Sequence, residues 1–217
     1  MQINKKYIIF DLDGTLIDSE SGMVNSFIYA LNKYNINVVD RSGLSVIIGP
    51  PPLESFQKYY NFSEVQAEEA FKYFRSYFDK RGKFEYTVNI GIEELLNSLK
   101  KADKTLFVAT SKPTIFANQI LQHSGLDKYF SQVLGCELEE TGDKKAEIIT
   151  YIINEYNICK LDEVIMIGDR EYDIIAAKKN GISSLGVLFG YGNLKELTQS
   201  GADYIVGDTE EIKKLLC

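Results

Sequence analysis

Aspartates stand in pairs at two places where apolar runs stop. The first pair is Asp11 and Asp13, in Tyr7-Ile8-Ile9-Phe10-Asp11-Leu12-Asp13-Gly14-Thr15. The second is Asp169 and Asp173, after Val164-Ile165-Met166-Ile167-Gly168. Acids at i and i+2 point the same way off an extended segment. Acids four apart lie about one helical turn from each other. At 4 Å two like charges repel by roughly 4 kcal/mol at an effective dielectric of 20. Ionising such a set needs a cation or a shared proton. Gathered at one edge of a sheet, Asp11, Asp13, Asp169 and Asp173 call for a hard divalent ion. Mg2+ fits best, since it keeps waters and bridges carboxylate to phosphate. Taken singly, each pair also reads as a strand cap with solvated acids.

Two further segments carry groups suited to an anion. Lys104-Thr105-Leu106-Phe107-Val108-Ala109 leads into Thr110-Ser111-Lys112-Pro113, where Pro113 suits the first turn of a helix. Ser111 at that switch is either a plain N-cap or a hydroxyl offered to an anion held by the helix N-terminus. Asp143-Lys144-Lys145-Ala146 opens another helix. Lysines in a first turn oppose the macrodipole, so one of them pointing at an anion would explain the pair. A solvated surface pair is the alternative.

The elements around these groups follow from the pattern. The apolar run 7–10 reads as a strand buried on both faces, stopped by Gly14, which allows the tight turn that exposes the acids. Helical spacing then dominates. Asp18 or Ser19 caps a helix with Met23, Phe27, Leu31 and Tyr34 on one face. A second helix covers about 53–60. A third runs from Ser63 to about Lys80 with Val65, Phe71, Phe74 and Phe78 on one side. Residues 17–85 therefore form a helical insert, and its tyrosines read as core packing. Pro50-Pro51-Pro52 cannot lie inside a helix; it is either a rigid connector or a stiff loop lowered over a substrate.

From residue 86 onward the chain returns to alternation. Ile92, Leu95, Leu96 and Leu99 mark a helix, followed by the strand 104–109 and a helix to about Ser124. A short strand near 132–136, an acidic loop over 137–142 and a helix with Ala146, Ile149, Ile153 and Tyr156 inward come next. Strands at 164–167, 184–188 and 202–206 and helices from Leu194 and after Asp208 complete it. Such alternation predicts an α/β doubly wound parallel sheet. Ligands of these sheets bind beyond the carboxyl ends of the strands, where Asp11 and Asp169 would lie. The expected domains are a discontinuous core, 1–16 and 86–217, and a helical cap, 17–85.

Composition narrows the function classes. With 217 residues and 25% charged side chains, the chain suits one core plus a small accessory domain. The net charge of −7 argues against a nucleic-acid surface. No apolar run approaches the roughly 18–20 residues of a membrane span, and the first strand starts too early to leave room for a signal peptide. Cys136, Cys159 and Cys217 lack ligand spacing and fit free thiols, so a cytoplasmic location is expected. His123 is the only histidine, which all but excludes a histidine metal cluster or a Ser-His triad; it reads as an ordinary residue near a helix end.

Asp11-Leu12-Asp13-Gly14-Thr15, Ser111, Lys145 and Gly168-Asp169-Arg170-Glu171-Tyr172-Asp173 together resemble the four motifs of the haloacid dehalogenase (HAD) superfamily, in the phosphatase form of its capped subfamily I. The resemblance covers the whole chain. Gly-Pro-Pro-Pro-Leu at 49–53 is similar to the caps of phosphoglycolate phosphatase-like members, and the later motifs lean toward 5′-nucleotidases. It implies a Rossmann-like core, with the cap inserted after the first strand and closing over the site. It implies an Asp11 nucleophile and an Asp13 acid/base. Mg2+ would be held by Asp11, the Asp13 backbone carbonyl and Asp169, with Asp173 supporting that shell. Thr15, Ser111 and Lys145 would hold the phosphoryl group, Lys145 matching the pattern better than Lys144; Arg170 reads as structural.

The implied activity is hydrolysis of small phosphorylated metabolites through an aspartyl-phosphate, by a monomer or homodimer. A phosphomutase of the β-phosphoglucomutase type shares Asp11 and Asp13 and is the alternative. A signalling receiver domain needs only about 120 residues and no insert, and an idle binding protein would not need both acids.

Overall fold

A computed structural model describes residues 2–38, 41, 44, 52–137 and 144–217. Its centre is built from the most apolar runs of the sequence. Strand β1 (Tyr7–Phe10) lies between β4 (Thr105–Pro113) and β6 (Val164–Gly168), parallel to both. Ile8, Ile9 and Phe10 are fully buried, as are Val164 through Ile167. Strands covered on both faces need no polar alternation, which is why these runs are unbroken.

Outward from the centre lie β5 (Gln132–Cys136), β7 (Ser183–Val187) and β8 (Tyr204–Val206), giving one parallel sheet in the order β5-β4-β1-β6-β7-β8. The strand order reverses at β1, the switch point where doubly wound sheets bind ligands beyond the strand ends. Helices α4 (Ile92–Lys101), α5 (Thr114–Ser124), α6 (Lys145–Glu155), α7 (Glu171–Lys179), α8 (Leu194–Ser200) and α9 (Thr209–Leu216) alternate with the strands. Asn193 and Asp208 cap α8 and α9, each accepting a hydrogen bond from the amide three residues on. His123 falls in the last turn of α5. Cys136, Cys159 and Cys217 are thiols outside any disulfide.

The chain divides into two units, Met1–Ile17 with Val88–Cys217, and Asp18–Thr87. Short strands β2 (Ile17–Asp18) and β3 (Thr87–Val88) form a separate two-stranded sheet. The second unit holds α1 (Glu20–Asn32), α2 (Pro52–Tyr60) and α3 (Glu64–Lys80). Its core is aromatic: the Phe27 ring lies 4.5 Å from Phe56 and 5.1 Å from Phe74. Among the described residues no helix is long and apolar enough to cross a membrane.

Several details depart from the sequence pattern. Pro113 ends β4 instead of sitting in the first turn of α5, because the strand runs on past Ala109 through an irregularity. Tyr34 lies beyond α1, where its hydroxyl donates to Glu69 and the Gln66 carbonyl. Val65 is exposed, and Ala67 and Ala70 share the buried face of α3 with Phe74 and Phe78. In α6 the fully covered face is Lys145, Ile148, Ile149 and Ile152, while Ala146, Ile153 and Tyr156 flank it half-buried. Small residues and a buried lysine thus take places that an apolar count assigns to larger neighbours. Pro52 opens α2; Pro50, Pro51, most of the acidic loop and Asp143 lie outside the described residues.

Candidate active site

Parallel pairing brings the two acid-bearing turns together. Phe10 is in register with Ile167, and the Asp11 amide continues the ladder by donating to the Ile167 carbonyl at 2.9 Å. Asp11 and Asp169 therefore leave adjacent strands at the same edge. The chain then turns at Gly14, whose φ of +77° lies in the left-handed region. The Leu12 carbonyl accepts from the amides of Thr15, Leu16 and Ile17 and closes this turn.

Asp173 lies in the first turn of α7 and accepts from the Arg170 amide at 3.0 Å through Oδ2. Its Oδ1 takes a close contact from the Lys145 ammonium, and Lys145 also reaches Oδ2 of Asp11 at 3.0 Å. Lys145 is buried at the start of α6; Lys144 stays nearer solvent and pairs with Glu147. Both oxygens of Asp169 are held as well: Oδ2 accepts from the Tyr191 amide at 2.7 Å and Oδ1 from the Thr15 hydroxyl at 3.3 Å. The loop bearing Tyr191 follows β7.

Asp13 faces a lysine that the sequence pattern does not single out. The buried Lys112 ammonium lies 3.0 Å from Asp13 Oδ2. The signal was Pro113: a residue before proline is held extended, so Lys112 continues the strand. Ser111 is exposed on β4 and its carbonyl accepts from the Cys136 thiol, whereas Thr110 beside it is buried. Arg170 donates through Nε to Glu196 at 2.7 Å, bracing the start of α7 against α8. Asp11, Asp13, Thr15, Lys145, Asp169 and Asp173 are thus linked by contacts or by the repulsion among their acids, and Ser111 lies exposed on β4, two residues before its end.

The electrostatics call for more positive charge. Burial pushes the Asp11 carboxyl up to about 8; Asp173, Asp169 and Asp13 push the same way, and Lys145 opposes them. Burial, then Asp173, pushes Asp169 up to about 7, against the Tyr191 amide. Desolvation works against the Lys145 charge, but Asp11 and Asp173 outweigh it and raise its pKa. Asp11 Oδ1 is buried with no hydrogen-bond partner among the described residues. Asp11, Asp169 and Asp173 each offer an oxygen within 4.8 Å of the others, a donor set that fits a hard cation. Of the three, only Asp11 keeps an oxygen without a hydrogen-bond partner among the described residues; Asp169 and Asp173 each have both oxygens engaged.

The comparisons agree with this geometry. A model of the haloacid dehalogenase-like hydrolases matches residues 8–187. A 5′-nucleotidase of Pseudomonas aeruginosa is 37% identical over 209 residues, covering 96% of this chain and 94% of its own. The tyrosine-protein kinase PtkA of Mycobacterium tuberculosis is 34% identical over 85% of this chain, which spans 62% of that longer protein. A solved structure from Clostridium difficile, which carries a provisional phosphatase name, is 44% identical with a TM-score of 0.95 and covers 100% of both chains. The motif at the end of β1, its partner after β6 and the six-stranded parallel sheet between them all have one explanation: this chain belongs to the haloacid dehalogenase-like hydrolase family.

Proposed function

We propose that this protein is a Mg2+-dependent phosphatase of small phosphomonoesters, working through an aspartyl-phosphate on Asp11 in the manner of 5′-nucleotidases and phosphoglycolate phosphatases. One observation carries the reading. Asp11, at the end of the central strand, has Oδ2 fixed by Lys145 and Oδ1 buried without a partner among the described residues. A carboxylate solely structural in role would have both oxygens satisfied.

In the first half-reaction an Asp11 oxygen bonds to phosphorus as the bond to the leaving oxygen breaks. The Asp13 carboxyl gives that oxygen its proton and becomes a carboxylate. In the second half a water attacks the phosphorus of the aspartyl-phosphate, Asp13 takes its proton, and Asp11 leaves as the carboxylate. Lys145 neutralises the phosphoryl oxygens, on which charge resides in a loose transition state. Thr15, the turn amides and Ser111 orient that group. Asp11, the Asp13 backbone carbonyl and Asp169 would hold Mg2+, which supplies positive charge to ionise the carboxylates and draw in the phosphoryl oxygens. Asp173 keeps Lys145 in place.

The test is a panel of nucleoside monophosphates, phosphoglycolate and sugar phosphates, assayed for phosphate release with and without Mg2+. Release by the wild type and its loss in Asp11→Asn supports the reading. Isomerisation activated by a bisphosphate, with little phosphate release, would make the protein a phosphomutase. Because one relative is named a tyrosine-protein kinase, ATP with a tyrosine acceptor belongs in the panel; stoichiometric transfer to tyrosine would replace hydrolysis as the function.

A further inference from the structure

Between Ala109 and Pro113, β4 departs from regular pairing. Ala109 is opposite Leu134 and Pro113 is opposite Cys136, so Thr110, Ser111 and Lys112 all stand against the single residue Gly135. Bulges next to active sites re-aim a side chain, and this one is fastened on every side. The Thr110 hydroxyl accepts from the Lys112 amide at 3.2 Å. The Cys136 thiol donates to the Ser111 carbonyl at 3.1 Å. The Thr114 hydroxyl both donates to the Gly135 carbonyl and accepts from its amide, at 3.0 and 2.9 Å. A Cβ on Gly135 would come within 1.9 Å of the Lys112 carbonyl oxygen, an approach only glycine permits. The outcome of all this is one buried ammonium, 3.0 Å from Asp13 Oδ2.

We infer that Lys112 is a positioning residue for proton transfer: it holds the Asp13 carboxyl toward the leaving oxygen and stabilises the negative charge that Asp13 gains as its proton departs. The inference rests on the reading of Asp13 as the acid. Lys112 occupies Oδ2, while Oδ1 is buried without a partner among the described residues, so the pairing leaves one oxygen for the chemistry. In the step itself the bond from Asp11 to phosphorus forms, the bond from phosphorus to the leaving oxygen breaks, and the Asp13 proton moves to that oxygen. The carboxylate left behind faces Lys112, a fixed countercharge where charge develops.

Leaving-group dependence tests this. An alkoxide needs the proton as it departs; a p-nitrophenolate scarcely does. kcat/KM for an active alkyl phosphate and for p-nitrophenyl phosphate is measured in wild type, Lys112→Met, Lys112→Arg, Gly135→Ala and Asp13→Asn. The expected result is that Lys112→Met loses at least about tenfold more on the alkyl ester than on the aryl ester. Lys112→Arg recovers most of that difference. Gly135→Ala, which keeps the lysine but moves its backbone, shows the same bias. Equal losses on both esters, or a loss confined to KM, overturn the inference. If Asp13→Asn separates the two esters and Lys112→Met does not, Lys112 loses its role while the acid assignment stands. If Asp13→Asn itself fails to separate them, the acid assignment falls and the inference with it.

Discussion

The Lys145 ammonium lies 3.0 Å from Asp11 Oδ2, joining the start of α6 to the end of the central strand across 134 residues of chain. Both groups are buried, and the lysine also contacts Asp173. A cation so placed has two consequences, one for the resting protein and one for the reaction.

Replacing that lysine separates the two. In Lys145→Met, Asp11 and Asp173 lose their buried countercharge, and removing one partner of such a pair costs about 3–5 kcal/mol. Melting without metal should therefore drop clearly. Added Mg2+ should restore part of the stability, since it supplies charge to Asp11 by another route. Activity should not recover: kcat/KM should stay about 100- to 1,000-fold down, because on the proposed mechanism no group replaces the lysine at the phosphoryl oxygens. A variant that melts like wild type and turns over normally would make Lys145 a spectator.

Asp11→Asn keeps the size of the proposed nucleophile and removes its charge. Phosphate release should fall by at least about 10,000-fold, as when a nucleophile is deleted from a catalytic unit. Rapid acid quench of the wild type with substrate should trap a phosphorylated chain by mass spectrometry, mapping to the peptide that contains Asp11. The same quench of Asp11→Asn should yield none. Because the variant removes a raised, buried carboxyl from beside three other acids, it should be no less stable than wild type without metal.

Chelation should abolish turnover, and Mg2+ should restore it. A ligand that binds only the folded chain stabilises it by about 2.7 kcal/mol at 100 times its Kd. For a chain of this size that is a melting shift of roughly 5–10 °C. Asp169→Asn should lose most of this shift: an amide keeps an acceptor for the Tyr191 amide but offers the ion no charge. A full shift in that variant would place the ion elsewhere.

What was legible in the sequence follows residue chemistry. Unbroken apolar runs marked β1 and β6, and acids at their ends marked the edge where Asp11 and Asp169 meet. Lys145 stood out because a lysine in a first turn is locally unfavourable. Two features were hidden for physical reasons. Lys112 depends on a bulge, and bulges are set by pairing with another strand, here at Gly135. The Tyr191 amide on Asp169 is a backbone donor, and a backbone donor leaves no mark in residue type. The buried face of α6 departs from the apolar count because Lys145, paired with Asp11 and Asp173, turns inward beside Ile148, Ile149 and Ile152.

The loop after β7 offers the sharpest test of that hidden contact. A Cβ on Gly190 would lie 2.4 Å from Asp169 Cβ, 2.5 Å from its Oδ2 and 2.5 Å from the Gly14 carbonyl oxygen. None of these atoms is the free end of a flexible chain, so in Gly190→Ala the loop must move, and the Tyr191 amide moves with it. Asp169 then loses the donor that fixes its orientation. Losses of outer partners of this kind typically cost 10- to 100-fold in metal affinity. The Mg2+ concentration for half-maximal activity should rise by about that factor, and the Mg2+-induced melting shift should shrink in step. Gly125→Ala is the control: its φ of +69° makes alanine costly there, but no atom lies within 4 Å of the added Cβ. It should lose about 1 kcal/mol of stability and keep its Mg2+ dependence unchanged. If both variants shift the Mg2+ requirement alike, the effect comes from general destabilisation and Tyr191 has no part in holding Asp169.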